Sequence, residues 1–239
     1  DSLWHRPEWP VPTDDVHRAD AVGAGLSSAE ALSEATKRLK PLLLLRVADE
    51  LKMSQCLVFC RTNLDCDNLE RFMQAAGGGR SFAGKVEKGI ENRYSCVVLA
   101  GQRPMDERRR NLKAFKEGDV RFLVCTDVAA RGLDIKELPF VVNMTLPDKE
   151  EDYVHRVGRV GRAEVMGLAI SLVGEHKEKV WYYDRRKWEG KPLSTKLASE
   201  GGCCIWYNER ELFLAIEKRL GSTIGSLADF LAAGGRSAQ

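Results

Sequence analysis

No run of apolar residues comes near the ~20 that a bilayer-spanning helix requires. The longest candidate, Leu42 to Leu45, is ended by Arg46. That leaves no membrane partner to read from this chain. Nor is there an excess of charge of one sign: 37 Lys and Arg against 35 Asp and Glu leave a net charge of +2. Bulk polycationic binding is thereby excluded, and any grip on a polyanion must come from local patches. At the start there is no charged segment followed by an apolar one, so no secretory signal is read. Asp1 in place of Met points to a piece of a longer protein. The seven cysteines lack the repeated CxxC or Cys/His spacing of a zinc site, so no metal is expected. Cys56, Cys60, Cys96 and Cys125 stand in or beside apolar runs, where cysteine acts as a small buried hydrophobe. A reduced, intracellular setting follows, nuclear or cytoplasmic. With 44% hydrophobic residues over 239, the chain can build a sizeable core.

Punctuation along the chain sets out three regions. Residues 1–28, with Pro7, Pro10, Pro12, Gly23 and Gly25, read as a linker or an arm lying on another surface. Ser27 or Ser28 can cap a helix reaching about Lys40, and a second helix fits Leu42 to Leu51 beyond Pro41. From 29 to 175 the period then alternates. Cys56–Cys60, Tyr94–Leu99, Val120–Cys125, Phe140–Met144 and Leu168–Val173 are short continuous apolar runs, as in strands covered on both faces. Leu64–Ala76, Pro104–Lys116 and Glu150–Arg156 carry helical spacing between them. Gly77-Gly78-Gly79 opens a polar excursion to Arg93. The alternation predicts an α/β sandwich with a mainly parallel sheet, whose sites gather at the carboxyl ends of the strands.

Residues 176–239 read as an irregular extension. Its aromatic-basic cluster, Trp181, Tyr182, Tyr183, Arg185, Arg186, Lys187 and Trp188, can stack bases or pack the extension down; packing is the favoured reading. Residues 222–239, with Gly234-Gly235, are expected to be poorly ordered at their end.

Two clusters carry chemistry. Thr126-Asp127-Val128-Ala129-Ala130-Arg131-Gly132-Leu133-Asp134 follows an apolar strand. Small residues there let a ligand approach the backbone, Thr126 and exposed N–H groups suit phosphate oxygens, and Asp134 suits a ribose hydroxyl. The plainer alternative is a strand-to-helix turn with capping aspartates. The second cluster runs from Tyr153 to Arg162 as Tyr-Val-His-Arg-Val-Gly-Arg-Val-Gly-Arg. Arginines at spacing three, separated by glycine, suit bidentate phosphate binding at any physiological pH. Interdomain salt bridges are the alternative.

Order and spacing join these clusters to two more. Phe59-Cys60-Arg61-Thr62, then Asp106-Glu107-Arg108 on a helix ending Phe115-Lys116-Glu117-Gly118, precede them. Over roughly residues 50–175 the set resembles the second RecA-like domain of DEAD-box RNA helicases, a three-layer α/β/α sandwich. Val160 between the arginines and Gly201–Glu209 in the extension resemble the member that carries a SPRY insertion in its first core domain.

The resemblance implies that Arg159 and Arg162 contact the γ-phosphate of ATP and Asp134 its ribose. It implies that His155 and Arg156 tie hydrolysis to domain closure. Arg61, Arg108, Thr126 and Gly132 would lie along the RNA backbone, although Arg61 can equally pair with Asp65 at i,i+4 spacing. The implied cofactor is ATP with Mg²⁺. The implied partners are RNA, the first RecA-like domain of the same protein and RNA-processing assemblies, including tRNA ligation.

Departures bear on this. Ala100-Gly101-Gln102 stands where the family has His-Gly-Asp, Met105 replaces a Gln, Thr145 an Asp and Ala163 a Gly. No G-x-x-x-x-G-K-[ST] loop and no Asp-Glu-Ala-Asp occur in the 239 residues. The chain by itself is therefore expected to be inactive, half of a nucleotide site. The rival reading is an RNA- or protein-binding RecA-like module without turnover; a DNA translocase is a second rival.

Overall fold

The computed structural model describes residues 11–17, 28–77, 92–135, 137–161 and 167–232. Helix α1, Ala29–Glu50, begins at Ser28, whose hydroxyl accepts from the Ala31 N–H. The break expected at Pro41 is not made: one helix runs through the proline. Proline in a helix interior costs about 3 kcal/mol. Anchors on either side offset it, because Lys40 is held in buried ion pairs and Leu44 and Leu45 are packed into the core.

Five short strands form the central sheet: β1 Cys56–Phe59, β2 Cys96–Leu99, β3 Phe122–Cys125, β4 Phe140–Asn143 and β5 Leu168–Ser171. Their order is β2-β3-β1-β4-β5 and every pairing is parallel, with Cys56 opposite both Phe122 and Phe140. Helices α2 Asn63–Ala76, α3 Met105–Lys116, α4 Asp127–Ala130 and α5 Glu150–Val157 are the described connections. Alternate side chains serve opposite layers. Cys56, Val58, Phe122, Val124 and Val142 meet Leu44 of α1 and Leu69, Phe72 and Met73 of α2. Leu57, Phe59, Leu123 and Val141 meet Phe115 of α3 and Ala129 and Ala130 of α4. This is the α/β sandwich expected from the alternation, in the three layers that the resemblance implies, and burial on both faces is why the strands read as continuous apolar runs. The polar excursion falls largely on residues 78–91, outside those described.

The extension is more regular than its sequence suggests. Strands β6, Glu178–Trp181, and β7, Cys204–Tyr207, pair antiparallel. Helices α6, Arg185–Trp188, α7, Glu209–Leu220, and α8, Leu227–Ala232, complete it. Asn208 caps α7 through its side chain, and Gly221 ends it at φ +67°. Helix α8 precedes the end expected to be poorly ordered, and its Leu227 and Leu231 pack on the main core. Gly234 and Gly235 lie outside the described residues.

Buried charges dock this layer. Lys40 Nζ donates to Glu178 Oε1 at 2.5 Å and Glu209 Oε2 at 2.6 Å. Glu209 also accepts from Leu146 N at 3.0 Å and Gly174 N at 2.7 Å, joining the loops after β4 and β5. Tyr207 donates its hydroxyl to Leu146 O at 2.7 Å. Burial pulls the Lys40 ammonium down, but Glu209 and Glu178 outweigh it and hold the pKa above its ordinary value. Burial in turn pushes Glu178 up. From the arm, Val16 is fully buried and Asp14 pairs with Lys37 at 2.5 Å.

Candidate functional site

Parallel pairing brings the carboxyl ends of β1, β3 and β4 to one edge, and the chemistry-bearing turns leave from there. Thr126 caps α4 by accepting from Ala129 N at 3.4 Å. Asp127 follows it, and Asn143 closes β4 as a wholly buried polar residue. Helix α5 then turns Arg156 inward, where it is 2% exposed. Its Nε and Nη2 donate to Asp127 Oδ1 at 2.6 Å and Oδ2 at 2.7 Å. Its Nη1 donates to Asn143 Oδ1 at 3.0 Å and Thr145 O at 2.7 Å. The guanidinium also lies 4.8 Å from the centroid of the Phe59 ring. Arg156 thus ties three strand ends to α5, its charge met by Asp127.

Arg159, one turn on, is held differently. Nη1 donates to Leu133 O and Ile135 O at 3.0 Å each, and Nη2 to Ala130 O at 3.0 Å. Carbonyl oxygens orient a guanidinium without cancelling its charge, and among the described residues no carboxylate pairs with it. Its main chain is pinned as well: Leu138 N donates to Arg159 O at 2.9 Å and Gly161 N to Leu138 O at 3.0 Å. Gly167 makes that close approach possible. A Cβ there would lie 2.4 Å from Val160 Cγ1 and 2.7 Å from both Gly161 N and Leu138 O.

A cleft of about 320 Å³ opens between the two clusters. Gly132, His155, Arg156 and Arg159 line it, along with Phe59, Asp127, Arg131, Asp152 and Gly158. Gly132 takes φ +75°, which a residue with a side chain adopts only under strain. Exposed Arg131 pairs with Asp152 at 2.9 Å. The cleft therefore offers one oriented cation without a described counter-charge beside turns of small residues, which suits a phosphate. Among the described residues no group of three or more His, Cys, Asp or Glu is disposed to hold a metal. What these residues fit chemically is an anionic phosphate group.

The other expected residues are dispersed. His155 reaches the cleft rim and is exposed, while Asp134 is exposed and outside the cleft lining. Arg108 is half-buried, its Nε shielded and without a hydrogen-bond partner among the described residues. Arg61 faces the extension: Nη2 donates to Trp181 O at 2.7 Å and the guanidinium lies 5.6 Å from the Tyr207 ring centroid. The alternative i,i+4 bond to Asp65 is not made, because Asp65 accepts from the Thr62 N–H and hydroxyl in a capping box. Burial pushes the Asp65 carboxyl up despite those bonds. Arg162 and Ala163 lie outside the described residues.

Where the family pattern is broken, other residues fill in. Ala100 is buried, Gln102 donates to Asp67 at 2.6 Å, and Met105 is 56% exposed at the start of α3. Arg103 binds Asp67 at 2.8 Å, Glu70 at 2.6 Å and Glu107 at 2.8 Å. Thr145 contributes only its main-chain carbonyl to Arg156, a bond indifferent to its side chain. Every cysteine is free and buried. Burial pushes the Cys125 thiol up, and hydrogen bonding with Cys60 does so for Cys66, so neither is a nucleophile at neutral pH. Sequence reasoning missed the partners of Arg156; a polar Asn143 ending an apolar run was the available signal.

Comparison with known proteins adds the relatives. Residues 35–164 match the family described as the helicase conserved C-terminal domain. The chain is 49% identical over 217 residues to the ATP-dependent RNA helicase DDX1 of Xenopus laevis, covering 91% of the chain and 28% of that protein. It is 49% identical over 226 residues to the ATP-dependent RNA helicase Ddx1 of Drosophila melanogaster, covering 94% and 29%. Among solved structures, the DEAD-box protein SrmB of E. coli is similar at 32% identity and a TM-score of 0.45, over 55% of this chain and 68% of that one. The chain spans less than a third of the length of these curated relatives.

Proposed function

The chain belongs to the helicase conserved C-terminal domain family, in its DEAD-box branch, and from that premise we propose that it is the second core domain of an ATP-dependent RNA helicase. In this reading the domain donates arginine fingers and an RNA-backbone surface to a cleft completed by a first RecA-like domain. The observation that carries it is Arg159, oriented by three carbonyl oxygens and lining a cleft that Gly132 and Gly158 also border. A cation fixed before substrate arrives needs no reorganisation when charge develops on a transferring phosphoryl group. Arg162 is proposed as its companion. Arg156 with His155 is proposed to transmit closure, since it already joins α5 to the ends of β1, β3 and β4. Arg61, Arg108, Thr126 and Gly132 are proposed to follow the RNA backbone, with little sequence preference. ATP with Mg²⁺ is the proposed cofactor: bound, it supplies the phosphoryl group to be cleaved. The first domain is proposed to contribute the phosphate loop and metal ligands, leaving this domain alone inactive. Family resemblance supports an RNA-processing assembly as the setting, tRNA ligation included.

The test is RNA-stimulated ATP hydrolysis by the full-length protein, comparing the parent with Arg159→Ala and Arg162→Ala at saturating ATP. A fall of about 10³-fold in each with RNA binding retained is expected. Equal turnover would remove the finger assignment. No turnover in the parent would favour a binding module that keeps the fold, to which the altered residues 100, 102 and 105 already lend support.

A further inference from the structure

We propose that the outer face of the extension, around Tyr182, Tyr183 and α6, is a second docking surface for single-stranded RNA, separate from the cleft. The inference rests on the reading that the protein binds RNA. Burial supplies the first argument. Trp181 turns inward, its indole N–H donating to Asp14 O at 2.7 Å. Its neighbours do not follow: Tyr182 is 59% and Tyr183 37% exposed. Area left in water contributes little to folding, so packing accounts for Trp181, for only part of Tyr183 and least of all for Tyr182.

Charge supplies the second. Arg185, Arg186 and Lys191 are exposed, and among the described residues none has an ion pair. Asp184, next in sequence, accepts from the Arg186 N–H at 2.9 Å, which leaves Glu189 as the acid lining the shallow cleft here. Tyr183, Arg185, Arg186, Trp188 and Lys191 line that cleft, of about 380 Å³, together with Glu189 and Leu193, so cations outnumber the carboxylate there three to one. Aromatic faces interleaved with guanidinium groups match a strand that presents bases and phosphates in alternation. An acidic protein surface would answer the cations and leave the rings unused.

Rigidity supplies the third. Tyr182 N donates to Cys203 O at 2.7 Å, and the Trp181 and Tyr183 rings meet edge-on at 6.4 Å. Trp181 O accepts from Arg61, so the platform begins beside a residue two positions past the carboxyl end of β1. A strand leaving that edge has a preformed surface to continue onto.

Fluorescence anisotropy of the full-length protein with labelled oligouridylate of about 8 and about 20 nucleotides tests this, the two lengths bracketing one short binding site. Paired Tyr182→Ala and Tyr183→Ala are expected to weaken the longer RNA about tenfold and leave the shorter unaffected, whereas paired Tyr→Phe changes keep parental affinity. Paired Arg185→Ala and Arg186→Ala should reduce the salt dependence of the longer RNA by about 1.4 in the log–log slope. If all variants bind both RNAs as the parent does, the surface is not an RNA site and a protein partner takes its place. If the parent itself binds neither RNA, the broader RNA reading fails, and this proposal with it.

Discussion

Cys56 in β1 and Glu178 in β6 are both withdrawn from water, at 0% and 3% exposure, yet opposite chemistry keeps them there. Cys56 sits in a sheet where alternate apolar residues from five strands meet α1 and α2 on one face and α3 and α4 on the other. Glu178 sits in a layer joined to the domain by charge. Lys40 reaches across 138 residues to Glu178 and across 169 to Glu209, and Lys179 pairs with Glu30 at 2.7 Å. Apolar packing is non-directional and forgiving of exact partners. Buried ion pairs stabilise only while every partner is present. The sheet should therefore lose stability as a whole, and the extension should lose its seat.

Substitutions can separate those behaviours. Phe122→Ala, which empties a fully buried ring position in β3, is expected to cost about 4 kcal/mol. Urea unfolding should show it as a shift of the whole transition. Lys40→Ala leaves two buried carboxylates facing each other and is expected to cost about 3 kcal/mol. Limited proteolysis should show cleavage within 176–232 before the sheet is attacked; simultaneous loss of both would merge the two regions into one cooperative unit. Thr62→Ala removes the cap of α2 between the sheet and the Arg61 anchor, at about 1 kcal/mol.

The smallest effect is expected at His17, whose imidazole meets Ser33 Oγ at 2.8 Å. Burial first, then Lys37, lowers its pKa from 6.5. The unfolded chain therefore takes up the proton at higher pH than the folded one. Stability should decline as pH falls through 6.5 toward the folded value, and His17→Gln should flatten that decline in a pH series of thermal melts. An unchanged slope would remove the arm from the charge-held layer.

The same contrast explains what could be read in advance. Strands such as Leu57-Val58-Phe59 announce themselves because both of their faces are covered. Strand β6 reads Glu-Lys-Val-Trp, and nothing local says that its first two residues are buried, since their partners Lys40, Ser33 and Glu30 lie on α1. Pro41 misleads for a related reason, because the anchors that carry α1 through it are distant in sequence. At the site, the order of the motifs placed Arg156 and Arg159 together near the ends of β1, β3 and β4. It did not say that Asp127 and Asn143 hold one guanidinium while main-chain carbonyls hold the other. Arg61 was legible as a residue at a strand end, but its engagement with Trp181 O and the Tyr207 ring needed the fold.

The space left by Gly167 reaches further than its size. Any side chain there must displace Val160 or the Leu138–Gly161 pairing, and Arg159 hangs on that same stretch of main chain. In a saturation library, position 167 should therefore cluster by phenotype with position 159, although a glycine has no functional group to lose. Variants there would pass every test of charge and chemistry and still inherit the defect of a misplaced guanidinium.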